Sequence, residues 1–403
     1  KGYGLLKLMR WIRLTGAAPS LTGKDSIAHI LYIKHELPDI YRRTYKFLEP
    51  MDFINLKLTG EFASSFDSIT LHWVTDNRDI SKIKYDGRLL KYSTIDRDKL
   101  PEIRPPIHVL GNLSKRAARE LGLREEVRVV MGMPDLQSAA IGSGAVRDYE
   151  AHVYIGTSSW LLCHVPFKKT DLFHNFASIP SAVPGRYIVA TEQETAGECL
   201  TFIKDNILYH KDELLKDEKQ PDVYKIFDRI AARVPAGSGG VIFTPWLFGE
   251  RSPIEDEHVR ASISNISLDT TREHIIRAVY EGVAFNSRWL LGYVESFIKR
   301  SFTHVNMIGG GATSDLWCQI YADVFNRKIR QVKDPIVANL RGAAFVASVS
   351  LGHVTFDEIP DLVKISRVYE PDPDNRAVYD GLFREFVNIY RANRKMYSRL
   401  NRF

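Results

Sequence analysis

Cysteine is scarce. The only three, Cys163, Cys199 and Cys318, are odd in number, far apart and without a Cys-x-x-Cys pair. That excludes a disulfide framework and a zinc ribbon and favours a reducing compartment, so the cytoplasm is the expected location. Long apolar runs are missing, so no transmembrane helix and no membrane partner are expected. The opening stretch Lys1–Leu14 is basic and apolar, but Arg10 and Arg13 interrupt it and no small-residue cleavage site follows, which argues against a signal peptide. The twelve histidines show neither H-x-x-x-H nor H-E-x-x-H spacing, so no structural metal is predicted. There is no repeat of solenoid period and no low-complexity tract. Charge of one sign is not in large excess: 55 Lys and Arg face 49 Asp and Glu, a net +6.

With 44% hydrophobic and 26% charged residues, the 403-residue chain has the balance of a globular protein of two or three domains. Seven basic residues (Arg376, Arg384, Arg391, Arg394, Lys395, Arg399, Arg402) gather in the last stretch against Asp380 and Glu385. Tyr379, Leu382, Phe383, Phe386 and Tyr390 recur there at helical spacing, which predicts a packed terminal helix with a solvated basic face. Nothing else is persistently basic, so nucleic acid is not an expected partner.

Residues 1–147 read as an α/β region with long loops. Helices are expected over Ile27–Leu37 and Ile40–Leu48 around the Pro38 break, and from a Ser114 cap through Leu121 to Gly122. Val127–Met131 reads as a buried strand leading into Gly132-Met133-Pro134-Asp135. A second domain, 148–403, begins with strand His152–Ile155, turn Gly156-Thr157-Ser158 and strand Ser159–Val165. Lys204–Lys219, crowded with both charge signs, suggests an exposed helix and loop, and Gly237–Gly240 a hinge before the strand Val241–Thr244. Thr270 and Glu273 read as the capping box of a long helix. Strand Val305–Ile308 precedes Gly309-Gly310-Gly311, Ser314 caps the next helix, and Gly342-Ala343-Ala344 marks a helix packed closely on its neighbour.

Three places invite a chemical reading, each with a plainer rival. Asp135 follows a strand through a Gly-x-Pro turn, so its carboxylate projects from a strand's carboxyl end, where it can accept a hydroxyl proton. The rival is a cap on a helix Leu136–Ile141. Gly156-Thr157-Ser158 offers backbone N–H groups and two hydroxyls to phosphate oxygens; the rival is an ordinary hairpin turn. Gly309 to Ser314 lets a ligand approach the backbone at a helix start, against a simple glycine-rich turn. Neither the dinucleotide pattern nor a P-loop is present, since Ser314 stands where the last glycine belongs and Gly23-Lys24 is followed by Asp25. Glu192-Gln193-Glu194 reads as an acid pair near a cleft or as a hydrogen-bonded loop, and Trp317 as an adenine-stacking ring or as core.

Taken in order, these segments resemble the FGGY carbohydrate kinases, of the two-domain actin-like ATPase (ribonuclease H-like) α/β fold with a cleft between the domains. Gly132 through Gly142 resembles the segment with the family's catalytic aspartate, here Asp135. Ile155-Gly156-Thr157-Ser158 resembles the loop that holds ATP phosphates. Gly309, Gly310, Gly311 and Ser314, with Trp317, Gln319, Ala322 and Asp323, resemble the adenosine segment. Gly249-Glu250-Arg251-Ser252-Pro253 and Ala261 through Glu281, including His274 and Ala278, also follow the family, except that Asn265 replaces a glycine. Asp52 and Leu58-Thr59-Gly60-Glu61 resemble the xylulose-kinase branch. Leu136 departs from the Asn or Gln that touches sugar in many relatives. The family's opening Asp-x-Gly-Thr hairpin has no match, which with the start at Lys1 leads us to expect an incomplete first domain.

The resemblance implies ATP-dependent phosphorylation of a sugar hydroxyl, of a ketose such as xylulose above all, with Asp135 as general base and Mg²⁺ accompanying ATP. It implies sugar and ATP as partners and leaves a homodimer open. The alternatives are an inactive nucleotide- or sugar-binding remnant and an ATPase acting on a protein partner.

Overall fold

Ala151–Ile155 and Ser159–Val165 carry apolar residues on both faces, the composition of strands covered on both sides. A computed structural model, which describes residues 4–20, 23–208 and 222–401, puts them in the middle of an eight-stranded mixed sheet. The order across the sheet is Ile365–Tyr369, Lys328–Val332, His304–Ile308, Ala151–Ile155, Ser159–Val165, Tyr187–Ala190, Phe176–Pro180 and Thr170–Asp171. His304–Ile308 is parallel to both of its neighbours, and the remaining pairs are antiparallel. Ile308 pairs with Tyr154, so two neighbouring parallel strands finish level at their carboxyl ends.

Side-chain alternation divides the sheet between two cores. Ala151, Val153, Ile155, Leu161, Cys163 and Val165 join one, together with the long helix Arg272–Ile298. Trp160, Leu162, Ile308 and Val332 join the other, with the helices Asp135–Gly142 and Ala338–Ser350. Those two helices touch through bare backbone. A Cβ on Gly142 would sit 1.8 Å from the Ala338 carbonyl oxygen, and one on Gly342 would sit 1.9 Å from that of Ser138. Gly342 therefore crosses a neighbouring helix as expected, inside its own helix.

Several expectations need correction. The long helix is capped by Thr271 and His274, one residue later than Thr270 and Glu273. Thr270 belongs to the preceding turn, where its hydroxyl accepts a hydrogen bond from the Ser267 N–H at 2.9 Å. The hinge-like loop Gly237–Gly240 is tied down at its start. The buried Glu281 carboxylate accepts from the Gly237 N–H (3.0 Å), the Ser238 hydroxyl (2.7 Å) and the Tyr379 hydroxyl (2.9 Å), and pairs with Arg277 at 2.8 Å. Loop, long helix and terminal helix are thus fastened at one point. Asn265 keeps the left-handed conformation its position requires, at φ 64°, which asparagine tolerates better than most residues.

Before residue 148 the strands form only two-stranded pairs among the described residues. The helices Ser26–Glu36 and Pro38–Arg43 follow an earlier one that was not expected, Leu5–Thr15. Pro38 opens the second instead of only breaking the first, as its fixed φ allows. That helix stops well short of Leu48, because the chain beyond Arg43 is recruited by tertiary contacts such as Phe47 N–H to the Lys99 carbonyl at 2.8 Å. Ser114 caps Lys115–Leu121 as expected, and the strand before Asp135 is shorter, Arg128–Val130. This region docks on the far edge of the large sheet. Thr170 donates to the Gly16 carbonyl at 2.5 Å, Lys168 to those of Ile12 and Arg13 at 3.2 and 3.1 Å, and Tyr187 to Asn77 and Arg78 at 3.0 Å.

The terminal helix Arg376–Leu400 buries Tyr379, Phe386, Val387 and Tyr397 and exposes Arg384, Arg391, Arg394, Lys395 and Arg399; Arg402 lies outside the described residues. Of the charged stretch 204–219, Lys204–Leu208 continues the helix Gly197–Ile203, and the rest lies outside the described residues. Among the described residues no helix is long and apolar enough to cross a membrane.

Candidate active site

The two glycine-bearing turns leave the carboxyl ends of adjacent parallel strands, where open α/β sheets bind ligands. In the first, the Gly156 N–H donates to the Ser158 carbonyl at 2.9 Å. The neighbouring segment 193–198 holds the turn's carbonyls: Gly197 N–H to Gly156 and Ala196 N–H to Thr157, both 2.8 Å. Those oxygens are thereby committed, while the Thr157 and Ser158 hydroxyls have no hydrogen-bond partner among the described residues. A Cβ on Gly156 would lie 2.4 Å from the Tyr154 ring, so any larger residue would have to displace that ring. That ring stacks on Trp160 with centroids 4.1 Å apart.

The three glycines of the second turn differ in what they do. Gly309, at φ 89°, rests on the Ile155 carbonyl, which a Cβ would approach to 2.5 Å, and Gly311 rests on the Ile155 side chain at 2.4 Å. Both are packing glycines that clamp this turn against the first. Gly310 alone faces open space, with nothing within 4 Å of its Cβ position. Ser314 serves the protein: its hydroxyl accepts from the Trp317 N–H at 3.1 Å, capping Asp315–Phe325, and donates to Asp228 at 2.7 Å. Trp317 is core, its indole N–H donating to the Tyr280 carbonyl at 3.1 Å.

Asp135 is the first residue of its helix, after Pro134 at the cap position. Its Oδ1 accepts from the next residue's N–H, that of Leu136, at 2.8 Å, but it is not the helix cap: Pro134 holds that position and no side chain caps this helix. The carboxylate is exposed, and Oδ2 has no protein partner among the described residues. Its charge reaches Tyr154 and Glu192. The Tyr154 hydroxyl is raised by burial and then by Asp135. Burial also raises Glu192, which Arg251 opposes and Glu194 and Asp135 reinforce. Asp135 thus faces the same end of the sheet as the 156–158 turn.

Across from it stands a charged cluster that the sequence reading did not assemble. Arg251 bonds Glu192 through Nη1 and Glu194 through Nε at 2.5 Å, and the Lys24 ammonium lies 3.5 Å from Glu194. Beneath it, buried Glu250 accepts from the Glu194 and Arg251 N–H groups at 3.0 and 2.8 Å and from the Asn286 amide. Burial pushes the Glu250 carboxyl up to about 8. Glu192 and Glu194 are therefore an ion-paired wall, and the hydrogen-bonded loop of the plainer reading is Gln193, which exchanges backbone bonds with Ser159. Leu136 packs against the second core and offers no polar group. Among the described residues no three His, Cys, Asp or Glu side chains gather closely enough to hold a metal ion.

A large mixed sheet with two ligand-facing turns at the ends of neighbouring parallel strands, met by a carboxylate from the preceding part of the chain, defines an α/β protein of the two-domain actin-like ATPase fold. The likeness to solved structures agrees: a ligand-bound xylulose kinase from Lactobacillus acidophilus superposes with a TM-score of 0.85 at 24% identity, over 98% of this chain and 77% of that one. Residues 19–142 match the N-terminal domain, and residues 151–351 the C-terminal domain, of the FGGY family of carbohydrate kinases. The chain belongs to that family and is a sugar kinase, a phosphotransferase with an alcohol group as acceptor. It is similar to a xylulose kinase from Staphylococcus epidermidis, 28% identical over 92% of this chain and 72% of that one. It is equally similar to an autoinducer-2 kinase from an Enterobacter species, 29% identical over 91% and 69%.

Proposed function

We propose that the enzyme transfers the γ-phosphoryl group of ATP to a hydroxyl of a ketose, xylulose in the first place, with Asp135 as general base. The observation that carries this reading is the placement of Asp135: an exposed carboxylate with one oxygen unused, at the end of the sheet where the 156–158 and 309–314 turns emerge. The helix start favours the ionised carboxylate. A weak base suffices, because phosphoryl transfer passes through a loose transition state that asks mainly for position and charge stabilisation.

The division of labour follows from the same geometry. The Thr157 and Ser158 N–H groups and hydroxyls receive phosphate oxygens, and the space beside Gly310 receives adenosine. Asp135 and Glu192 are the carboxylates that would face a Mg²⁺ brought by the nucleotide's phosphates, and such an ion would offset charge on the transferring group. With Leu136 apolar, recognition of the sugar's other hydroxyls falls to Glu192, Arg251 and Lys24. The boundary between sugar-side and nucleotide-side domains lies at 147/148. The xylulose assignment is supported by relatives that bear that name, against which the autoinducer-2 kinase must be weighed.

The test is ADP release with xylulose, ribulose, gluconate and glycerol as acceptors. Xylulose should give the highest kcat/KM, and Asp135→Asn should lower kcat by roughly 10²-fold or more while affinity for a non-hydrolysable ATP analogue holds. A preference for gluconate or glycerol removes the ketose assignment, and near-normal turnover of the variant removes Asp135 from the mechanism.

A further inference from the structure

The segment 192–197 touches both halves of the candidate site. At its start Glu192 and Glu194 pair with Arg251, and at its end the Ala196 and Gly197 N–H groups hold the carbonyls of Thr157 and Gly156 at 2.8 Å. Between these, Gln193 exchanges main-chain bonds with Ser159, just past the 156–158 turn. Its Oε1 accepts from the Ser159 and Ser287 hydroxyls, both at 3.0 Å, and its Nε2 donates to the Ser252 carbonyl at 3.4 Å. One short segment therefore grips the turn on both flanks and carries two side chains of the charged wall.

Glu250 fastens that segment to the other side of the wall. Its main chain is fixed by two bonds with Asp256, both 3.0 Å. A single oxygen, Oε1, accepts from the Glu194 N–H at 3.0 Å and from the Arg251 N–H at 2.8 Å. One atom thus sets the distance between the two main chains whose side chains form the wall. Oε2 accepts from the Asn286 amide, whose own oxygen takes the Trp246 indole N–H at 3.2 Å. Glu250 is 4% exposed and Gln193 1%, yet every side-chain nitrogen and oxygen of the two has a partner. A buried polar network is less favourable than an apolar filling unless fully paired, and when fully paired it specifies one geometry. These bonds end on the turn, on the wall and on the helix Arg272–Ile298 beneath them.

We propose that Glu250 and Gln193 are positioning residues, which hold the charged wall and the 156–158 turn in one register and so couple the binding of sugar to the binding of ATP. This rests on the assignment of the wall to the sugar and of the turn to phosphate. A sugar hydroxyl on Arg251 or Glu192 restrains the wall. Glu250 passes the restraint to the Glu194 main chain, and residues 194–197 pass it to the Thr157 and Gly156 carbonyls. The free N–H groups and hydroxyls of Thr157 and Ser158 are then ordered before the nucleotide arrives, and a preorganised site binds more tightly. The same factor works in both directions, so ATP tightens the hold on the sugar equally. Neither residue touches a reacting atom.

The test is calorimetric titration of the whole chain with a non-hydrolysable ATP analogue, with and without saturating xylulose, or gluconate should ADP release show that to be the preferred acceptor. The wild type should bind the analogue at least about fivefold more tightly with the sugar present. Glu250→Met and Gln193→Met keep the length of the side chain and lose its polar atoms. Each should bring that ratio close to one and raise the sugar KM, and with two variants the failure of one to fold still leaves a decision. Glu250→Gln keeps an oxygen for the two N–H groups and should preserve the ratio, which a loss of stability alone would not move. A wild type without the ratio, or a folded methionine variant that retains it, overturns the coupling. Failure of the underlying assignment reads differently: Arg251→Met would leave the sugar KM unchanged, and the coupling would fall with it.

Discussion

Gly342→Ala separates two opposed effects. On helix propensity alone, alanine in the interior of Ala338–Ser350 should stabilise by about 1 kcal/mol. The new Cβ, however, would stand 1.9 Å from the Ser138 carbonyl oxygen, where 3.0 Å is the least a real Cβ tolerates. The two helices must part by about 1.1 Å, and the obstacle is backbone, which cannot swing aside as a side chain would. Overpacking of this kind destabilises by roughly 1–3 kcal/mol, enough to reverse the sign. At roughly 2–4 °C per kcal/mol for a domain of this size, the melting temperature should fall by a few degrees. The displaced partner, Asp135–Gly142, carries the proposed base Asp135 on its first turn, and a misplacement near 1 Å at such a group can lower the rate by ~10²-fold. Circular dichroism melts and ADP release would both be measured, with Gly381→Ala as a control in an open helical position. The control should melt at or slightly above the wild type. A Gly342→Ala protein that melts no lower and turns over normally would show that the two helices do not meet as described.

Three further outcomes are expected. Gly310→Val should leave the melting temperature unchanged, since its Cβ meets nothing within 4 Å, yet weaken an ATP analogue in calorimetry; unchanged affinity would return this glycine to a plain turn. Glu250, pushed up to about 8 by burial, keeps its proton in the folded protein where the unfolded chain, with an ordinary value of 4.5, has lost it. Its contribution is therefore fully present below about pH 4.5 and is lost as pH rises towards and through 8, so Glu250→Gln should flatten the decline of the urea midpoint between pH 5 and 9; parallel wild-type and variant curves would refute it. Removing the Arg277 charge with Arg277→Met should destabilise strongly, by about 3–5 kcal/mol, because it strands the buried Glu281 carboxylate, and a loss below 1 kcal/mol in urea titration would contradict this.

How much of this was legible in the sequence depends on distance along the chain. The hairpin around 156–158, the Ser314 cap and the Gly342 crossing are written in consecutive residues, and the structure reproduces them. The capping box slipped by one because Thr270 and Thr271 are each followed three residues later by a side chain able to answer, and only the Ser267 turn decides between them. The helix predicted to reach Leu48 has the right local pattern but loses its end to Lys99, over fifty residues away. The charged wall was legible only in pieces for the same reason: the acid pair Glu192 and Glu194 and the segment holding Arg251 stand apart in the sequence, and only folding brings them together with Lys24. The separate duties of Gly309, Gly310 and Gly311 are likewise invisible in a run of identical letters.

The docking of residues 12–16 on the outermost strand also bears on how the margin of the large sheet is protected. That strand, Thr170–Asp171, is two residues long, and the carbonyls of Ile12, Arg13 and Gly16 approach it through Lys168 and Thr170. The opposite margin, Ile365–Tyr369, is guarded differently, by exposed Ser366 and Arg367. An open sheet margin is a template for pairing with another chain, and short strands, charge and cover are the usual protections. Here one protection comes from a segment made more than 150 residues earlier, a contact that forms late because so long a loop must close first. Without that contact the margin at Thr170–Asp171 keeps only its short length as protection against pairing with another chain.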